Sequence, residues 1–368
     1  MLDSEPYMPH PTVRAAVAGL LCLASSAGAA DRVVSLELIH AQQQLAAAGT
    51  RAGVAAAPVQ PSGQASLASL SPAVSAVIPT FDAGRAPFSL SFNGIDSPYA
   101  TMSAFVLPAA TLDIAAGGGT GVFAGSASGG RLVAAGPSSW RWTAPGAHGD
   151  HEIRISDTKS GAAARLHVFV LQPYDGGGYV GNYRLGHYHA EAKDGDPAYG
   201  RPRGFVEVTA ANVNTMLSPH FRLGQFLCKD TGELPKYVAF SPALLVKLEN
   251  LLEMLAKRGL PAETLHVMSG YRTPAYNAGI GNETTWSRHT YGDAADVFLD
   301  RDGDGMQDDL DHDGRSTRED ARILYRLVED VLDEKLPEQM AGGLSAYGPT
   351  DAHGPFVHID TRGKRARW

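Results

Sequence analysis

SRHTYGDAADVFLD, residues 287–300, reads as a turn that leads into a buried strand. Ala294, Asp296 and Phe298 alternate there with Ala295, Val297 and Leu299, and both sets are mainly apolar, as in a strand covered on both faces. GPFVHIDTRG, residues 354–363, has the same character: Phe356, His358 and Asp360 share one face, Val357 and Ile359 the other. A carboxylate and an imidazole set into apolar strands are costly unless each has a partner. If the two strands are neighbours, Asp296 and His358 point into one cleft, and His289 reaches it from the preceding turn. Three N/O ligands with an open fourth position describe a catalytic zinc site. The spacing also leaves open a structural Asp–His pair that binds no metal.

Two helices flank these strands. Ser241 and Pro242 suit an N-cap and first turn, Leu244, Leu245, Leu248, Leu251, Leu252 and Leu255 mark one helical face, and Gly259 and Pro261 end the run. A second helix is expected from a capping box of Ser316 and Glu319, continuing through Ile323, Leu324, Leu327 and Val328. Strands mixed with such helices make the C-terminal half α+β.

Between them lies an acidic insert. Residues 300–320 hold nine Asp/Glu against three Arg, a net of −6 out of −8 for the whole chain. Asp300, Asp302, Asp304, Gly305, Asp308 and Asp311 fall at positions 1, 3, 5, 6, 9 and 12 of an EF-hand-like loop, so one calcium is expected. A partial second copy runs through Asp309, Asp311, Asp313 and Gly314 to Asp320 and shares Asp311, so the two cannot be independent loops of the ordinary kind.

Further out, residues 81–173 carry short alternating segments (FSLSF, TMSAFVL, RLVAA, WRWT, EIRIS, ARLHVFVL) separated by Gly, Pro and Asn. They predict an Ig-like antiparallel β-sandwich. Leu166, Val168 and Val170 should face one side, with Arg165, His167 and Phe169 on the other. His151 and His167 are isolated, and no catalytic grouping is seen. Residues 174–204 form a Gly- and Tyr-rich connector, whose His187 and His189 lack an acidic or cysteine partner. An Ala/Ser/Pro-rich linker is expected over 31–80, and a signal peptide over 1–30, where an apolar stretch after Arg14 ends at Ala27-Gly28-Ala29. Export to the periplasm or the cell exterior follows, and no segment is long enough for a membrane span. The acidic balance argues against nucleic acid. Cys22 falls within the signal, which leaves Cys228 as an unpaired, buried thiol, and the expected state is a monomer.

SRHTYGDAAD fits an S-x-H-x-x-G-x-A-x-D motif through Ser287, His289, Gly292, Ala294 and Asp296. With the upstream SGYRTPAYN and downstream FVHIDTRG, residues 205–368 resemble the zinc D-alanyl-D-alanine carboxypeptidase family (peptidase family M15), related in fold to the hedgehog signalling domain. The resemblance implies zinc held by His289, Asp296 and His358, and cleavage of peptide bonds in peptidoglycan stem peptides or cross-links. Arg272 matches the family arginine that meets a substrate carboxylate or polarised carbonyl, and Ser287 and Tyr271 are further candidate substrate contacts. One departure concerns catalysis: many members place an acid three residues before the last histidine, where this chain has Pro355. His353, and after it Asp351, are the candidate bases, with Asp360 orienting His358 from behind. A catalytically inactive cell-wall binding or scaffold protein that keeps the metal site is the alternative.

Overall fold

The computed structural model describes residues 81–118, 121–282, 284–335 and 340–368; side chains of 331–335 are not described. The expected signal peptide, the linker and Cys22 lie outside these residues. All described residues belong to one compact unit, Val77–Trp368. It is rich in β-structure, with several sheets and few helices.

Nine strands build the first region: β1 (Arg85–Phe92), β2 (Ile95–Tyr99), β3 (Thr101–Val106), β4 (Thr111–Gly117), β5 (Phe123–Ala127), β6 (Arg131–Gly136), β7 (Ser139–Thr143), β8 (Gly149–Asp157) and β9 (Ala163–Val170). They form a five-stranded sheet, β2-β1-β4-β7-β6, and a four-stranded one, β3-β9-β8-β5. Phe88 of the first meets Phe123 of the second edge to face at 4.9 Å, and Trp142 is fully buried. The pairing is not antiparallel throughout, because β3 and β9 run parallel. Leu166, Val168 and Val170 are buried on one side, and Phe169 is buried on the other. Phe105 stacks on Phe169 at 5.5 Å and on Phe240 at 5.3 Å, so the second region covers that face.

Short strands β10 (Gln172–Pro173), β11 (Tyr179–Val180), β12 (Tyr183–Arg184), β13 (Gly204–Val208) and β14 (Lys236–Val238) lead into helix α1 (Pro242–Lys257). Ser241 is its N-cap with Pro242 at N1, although the serine side chain makes no capping bond. The leucine stripe is buried, and so are Lys247, Glu249 and Glu253. The one-sided helix expected from the stripe is therefore enclosed on more than one side. Tyr99 Oη donates to Asn250 Oδ1 at 2.8 Å and Arg85 pairs with Glu253 at 2.6 Å, both from the first region. Glu249 accepts from the backbone N–H of His220 at 2.8 Å and lies 2.6 Å from its Nδ1. Lys247 donates to the carbonyl of Asp360 at 2.7 Å, so each buried charge has a partner, without which burial would cost several kcal/mol, roughly 3–5.

The central sheet of the second region has order β15-β16-β18-β17-β19, comprising β15 (His266–Ser269), β16 (Ala294–Phe298), β17 (Gly343–Tyr347), β18 (Phe356–Asp360) and β19 (Ala366–Arg367). Every residue of β16 and β18 is buried, His358 and Asp360 on one face of β18 included. Helix α2 (Pro274–Gly279) follows β15, and helix α3 (Arg318–Lys335) packs on β17 and β18. The capping pair of α3 is displaced by one residue from the expected Ser316 and Glu319. Thr317 Oγ1 accepts from Glu319 N at 3.1 Å, while Asp320 Oδ2 accepts from Thr317 N at 2.7 Å. Ser316 Oγ is buried and meets no partner, so the serine lies outside the cap. Cys228 is a free, buried thiol, as expected. No helix among the described residues is long and apolar enough to cross a membrane.

Candidate metal centre and cleft

The register of the central sheet assembles the site. In the antiparallel pairing of β16 with β18, Asp296 stands opposite His358; Ser269 of β15 and Ser345 of β17 continue the same row. His289 comes from a single 3₁₀ turn, Arg288–Tyr291, which ends at Gly292 with φ +75°. A Cβ at Gly292 would sit 2.1 Å from the carbonyl oxygen of Ala239, so only glycine closes this turn against the strand end that precedes α1. Arg288 locks the turn from below through its buried pair with Asp293 and a 2.7 Å bond to the carbonyl of Ala198.

Three ligand atoms converge there. His289 Nε2 is 3.2 Å from Asp296 Oδ1 and 3.2 Å from His358 Nδ1, and His358 Nδ1 is 2.9 Å from Asp296 Oδ1. The remaining ring nitrogens fix the protons. His289 Nδ1 lies 2.7 Å from the Gly270 carbonyl, which can only accept, so Nδ1 carries the hydrogen and Nε2 of the neutral ring presents a lone pair. His358 Nε2 faces Asp360 Oδ2 at 3.1 Å, which in the neutral ring turns the Nδ1 lone pair inward. Two lone pairs and a carboxylate aimed at one point require a proton or a cation between them. A tetrahedral ion with bonds of roughly 2.0–2.1 Å has ligand edges of about 3.3 Å, so the donor set and its spacing fit a small N/O-binding metal.

The electrostatics follow from burial and pairing. Burial lowers His289 below the ordinary histidine value, since it disfavours the imidazolium. Burial also works against charge on His358, but its bonds to Asp296 and Asp360 outweigh that and push it up to about 9. For Asp296 burial favours the neutral acid, yet the two imidazoles hold it well below the usual carboxylate range. Asp360 is likewise held low, against burial, by His358 and Arg362.

The centre lies at a cleft of about 820 Å³ lined by aromatic and cationic side chains. Arg272 donates through Nε to Ser269 Oγ at 2.8 Å and through Nη2 to Asp296 Oδ2, so it braces a ligand while lining the cleft. Ser287 and His353 line it too. Asp351 is exposed on the adjacent turn and is not among the lining residues. Tyr271 departs from its expected role as a substrate contact. It is 2 % exposed, its hydroxyl bonds to Tyr188 Oη at 2.8 Å, and Tyr188 donates to the carbonyl of Thr290; the pair supports the His289 turn from behind. Lys193 and Tyr199, from the supposed connector, and Trp286 and Trp368 also line the cleft, and none was singled out by sequence. Trp286 directly precedes the matched motif, which is the one local hint, whereas Lys193 and Tyr199 lie far from any motif. His189 stacks on Trp286 at 3.8 Å and, like His187, belongs to none of the metal-type groups among the described residues.

The acidic insert divides differently from its expected ligand set. Asp300, Asp302 and Asp304 converge, whereas Asp308 is taken by Arg301 at 2.5 Å and Asp311 joins Asp309 and Asp320. The overlapping copies resolve into two separate clusters because Asp320, on α3, draws Asp311 away by accepting its backbone N–H at 3.3 Å.

No family model matches the chain, and no curated protein does. A solved structure of the titin M3 domain is similar to part of it, at 10 % identity and a TM-score of 0.16, over 23 % of this chain and 97 % of that domain. A score this low carries no conclusion about fold.

Proposed function

We propose that the chain is a zinc-dependent peptidase that hydrolyses peptide bonds in peptidoglycan, as a D,D-carboxypeptidase or a cross-link endopeptidase, at the periplasmic or extracellular side. The observation that carries the metal reading is the convergence of His289 Nε2, Asp296 Oδ1 and His358 Nδ1 within 3.2 Å of one another on an open cleft. The substrate class rests on the three segments that resemble the zinc D-Ala-D-Ala carboxypeptidase family, with 205–368 read as a hedgehog/DD-peptidase-like domain. The two-sheet region before it is read as an Ig-like domain that positions or recruits.

Zinc, when bound, supplies a Lewis acid for the scissile carbonyl and lowers the pKa of a water molecule. The chain's own residues supply the rest. Asp360 holds the His358 ring in orientation, and the Gly270 carbonyl does the same for His289. Arg272, fixed by Ser269 and Asp296, presents a permanent positive charge to a substrate carboxylate or to negative charge developing on the carbonyl oxygen. Asp296 is the only carboxylate lining the cleft among the described residues, and it is committed to the metal set. His353 is therefore the candidate base. Its Nδ1 donates to the Gly354 carbonyl at 2.8 Å, which leaves Nε2 free to accept a proton.

Pro355 favours a second reading, a metal-retaining wall-binding protein without hydrolysis, since proline cannot transfer a proton. Mass spectrometry of products released from purified peptidoglycan separates the two. Zinc-dependent release, lost with chelator and in His358→Ala, is expected; free D-Ala marks a carboxypeptidase, and uncross-linked muropeptides an endopeptidase. His353→Ala should lower kcat by about 100-fold. Folded, zinc-loaded protein that binds walls of several chemotypes but releases nothing would leave the binder reading standing.

A further inference from the structure

The acidic segment after β16 has no part in the chemistry above. We propose that Asp300, Asp302 and Asp304 bind one calcium ion, which ties the loop to the ends of β15 and β16. The three residues bring ligand oxygens to within 4.8 Å of one another. An ion with bonds of roughly 2.4 Å spans oxygens up to about 4.8 Å apart, so no pair among the three is too far apart to share one calcium.

Gathered carboxylates alone do not make a site, but one oxygen of Asp300 sets this group apart. The Asp300 side chain is 10 % exposed. Its Oδ2 accepts from Gly305 N at 3.1 Å and lies 3.4 Å from His266 Nδ1. Its Oδ1 is buried and meets no donor in the protein. A carboxylate oxygen withdrawn from water with no partner is unfavourable, and buried polar atoms are rarely left so. A hard cation satisfies that oxygen and removes the repulsion among the three acids. Asp302 and Asp304 are exposed, which leaves room for the water ligands that complete calcium's coordination of roughly six to eight oxygens.

The neighbouring cluster of Asp309, Asp311 and Asp320 differs in this respect. Asp320 is fully buried, but its Oδ1 accepts from Leu310 N and Asp311 N, and its Oδ2 from Thr317 N. No buried oxygen of that cluster is left without a partner, so one ion is assigned and not two. Its position has a structural consequence. Asp300 lies two residues beyond β16, which carries Asp296, and its partner His266 opens β15, which carries Ser269.

The inference does not depend on the peptidase reading, because its test reads binding and stability and not hydrolysis. Full-chain protein stripped of divalent ions is titrated with calcium by calorimetry and then unfolded thermally. One ion per chain is expected, with a dissociation constant of about 10⁻⁴–10⁻³ M, in the range of extracellular modules. At a hundredfold excess the melting temperature should rise by about 5 °C. The double variant Asp302→Asn, Asp304→Asn should fold normally by circular dichroism, because both side chains are exposed and asparagine keeps their turn-forming acceptors. It should lose at least about tenfold in affinity, while Asp309→Asn retains it. Absence of heat and of a thermal shift up to about 10 mM calcium, undiminished binding in the double variant, or an equal response to magnesium would each overturn the assignment.

Discussion

Asp296 and Asp300 stand four residues apart, yet each belongs to a cluster built on a different principle. Asp296 is buried beside His289 and His358, with Arg272 against its second oxygen. These residues meet only because β16 and β18 pair in one register and a glycine-closed turn sets His289 above them. Asp300 gathers Asp302 and Asp304 from its own loop, where backbone N–H groups of Asp304, Gly305 and Met306 hold the side chains in turn conformations. A centre buried in a sheet has each ligand backed by another group before any ion arrives. A loop made of alternate residues has local order but leaves one buried oxygen unanswered. The first kind suits chemistry, which requires fixed geometry; the second suits a structural cation that tolerates variable coordination.

The largest expected effect tests whether the buried set acts as a unit. Asp296→Ala should remove bound zinc and reduce hydrolysis by on the order of a thousandfold or more, to background, measured by metal analysis and product release. Full zinc occupancy in that variant would mean that Asp296 does not hold the metal. A milder change probes the support behind the ligands: Asp360→Asn keeps the shape but weakens the acceptor facing His358 Nε2, and zinc affinity should fall by roughly 10–100-fold in chelator competition.

A third prediction concerns the cost of enclosing charge beneath this sheet. Lys247 donates to the carbonyl of Asp360 at 2.7 Å, and burial pushes it down from 10.5 to about 8. The folded chain therefore holds this proton less tightly than the unfolded chain. Below pH 8 both states are protonated and the full burial cost is present. As pH rises from about 8 to 10.5 the folded state releases its proton first, and the cost is relieved. Wild-type stability relative to Lys247→Met should thus rise over that window by on the order of 3 kcal/mol, read by denaturant unfolding at each pH. A flat difference would mean that the lysine is effectively solvated. The smallest effect belongs to the local side of the comparison. Thr317→Ala should cost about 1 kcal/mol through the lost cap and leave zinc binding unchanged.

Much of the second region was legible because burial leaves its mark on composition. A strand covered on both faces cannot display a polar set, so an Asp in AADVF and a His in FVHID stand out against what surrounds them. The helix caps were nearly legible: Ser316 and Thr317 are chemically alike, and which of them caps α3 depends on where Asp320 folds back. How the acidic insert divides was hidden for the same reason, since two overlapping loops compete for Asp311 and a residue on a following helix groups it with Asp309 and Asp320. The leucine stripe of α1 predicted one buried face correctly but could not show that Tyr99 and Arg85, some 150 residues earlier, enclose its polar positions.

From the amino-acid order alone came the periodicities, the turn glycines, the acidic repeats and the three segments that carry the candidate chemistry, because each depends on residues within a few positions of one another. Tertiary structure alone decided which of them meet. It set Asp296 against His358, turned Tyr271 into the core, carried Lys193 and Tyr199 from the connector to the cleft, and left Asp300 Oδ1 without a donor. Such contacts depend on register, twist and enclosure, and those are properties of the packed chain as a whole.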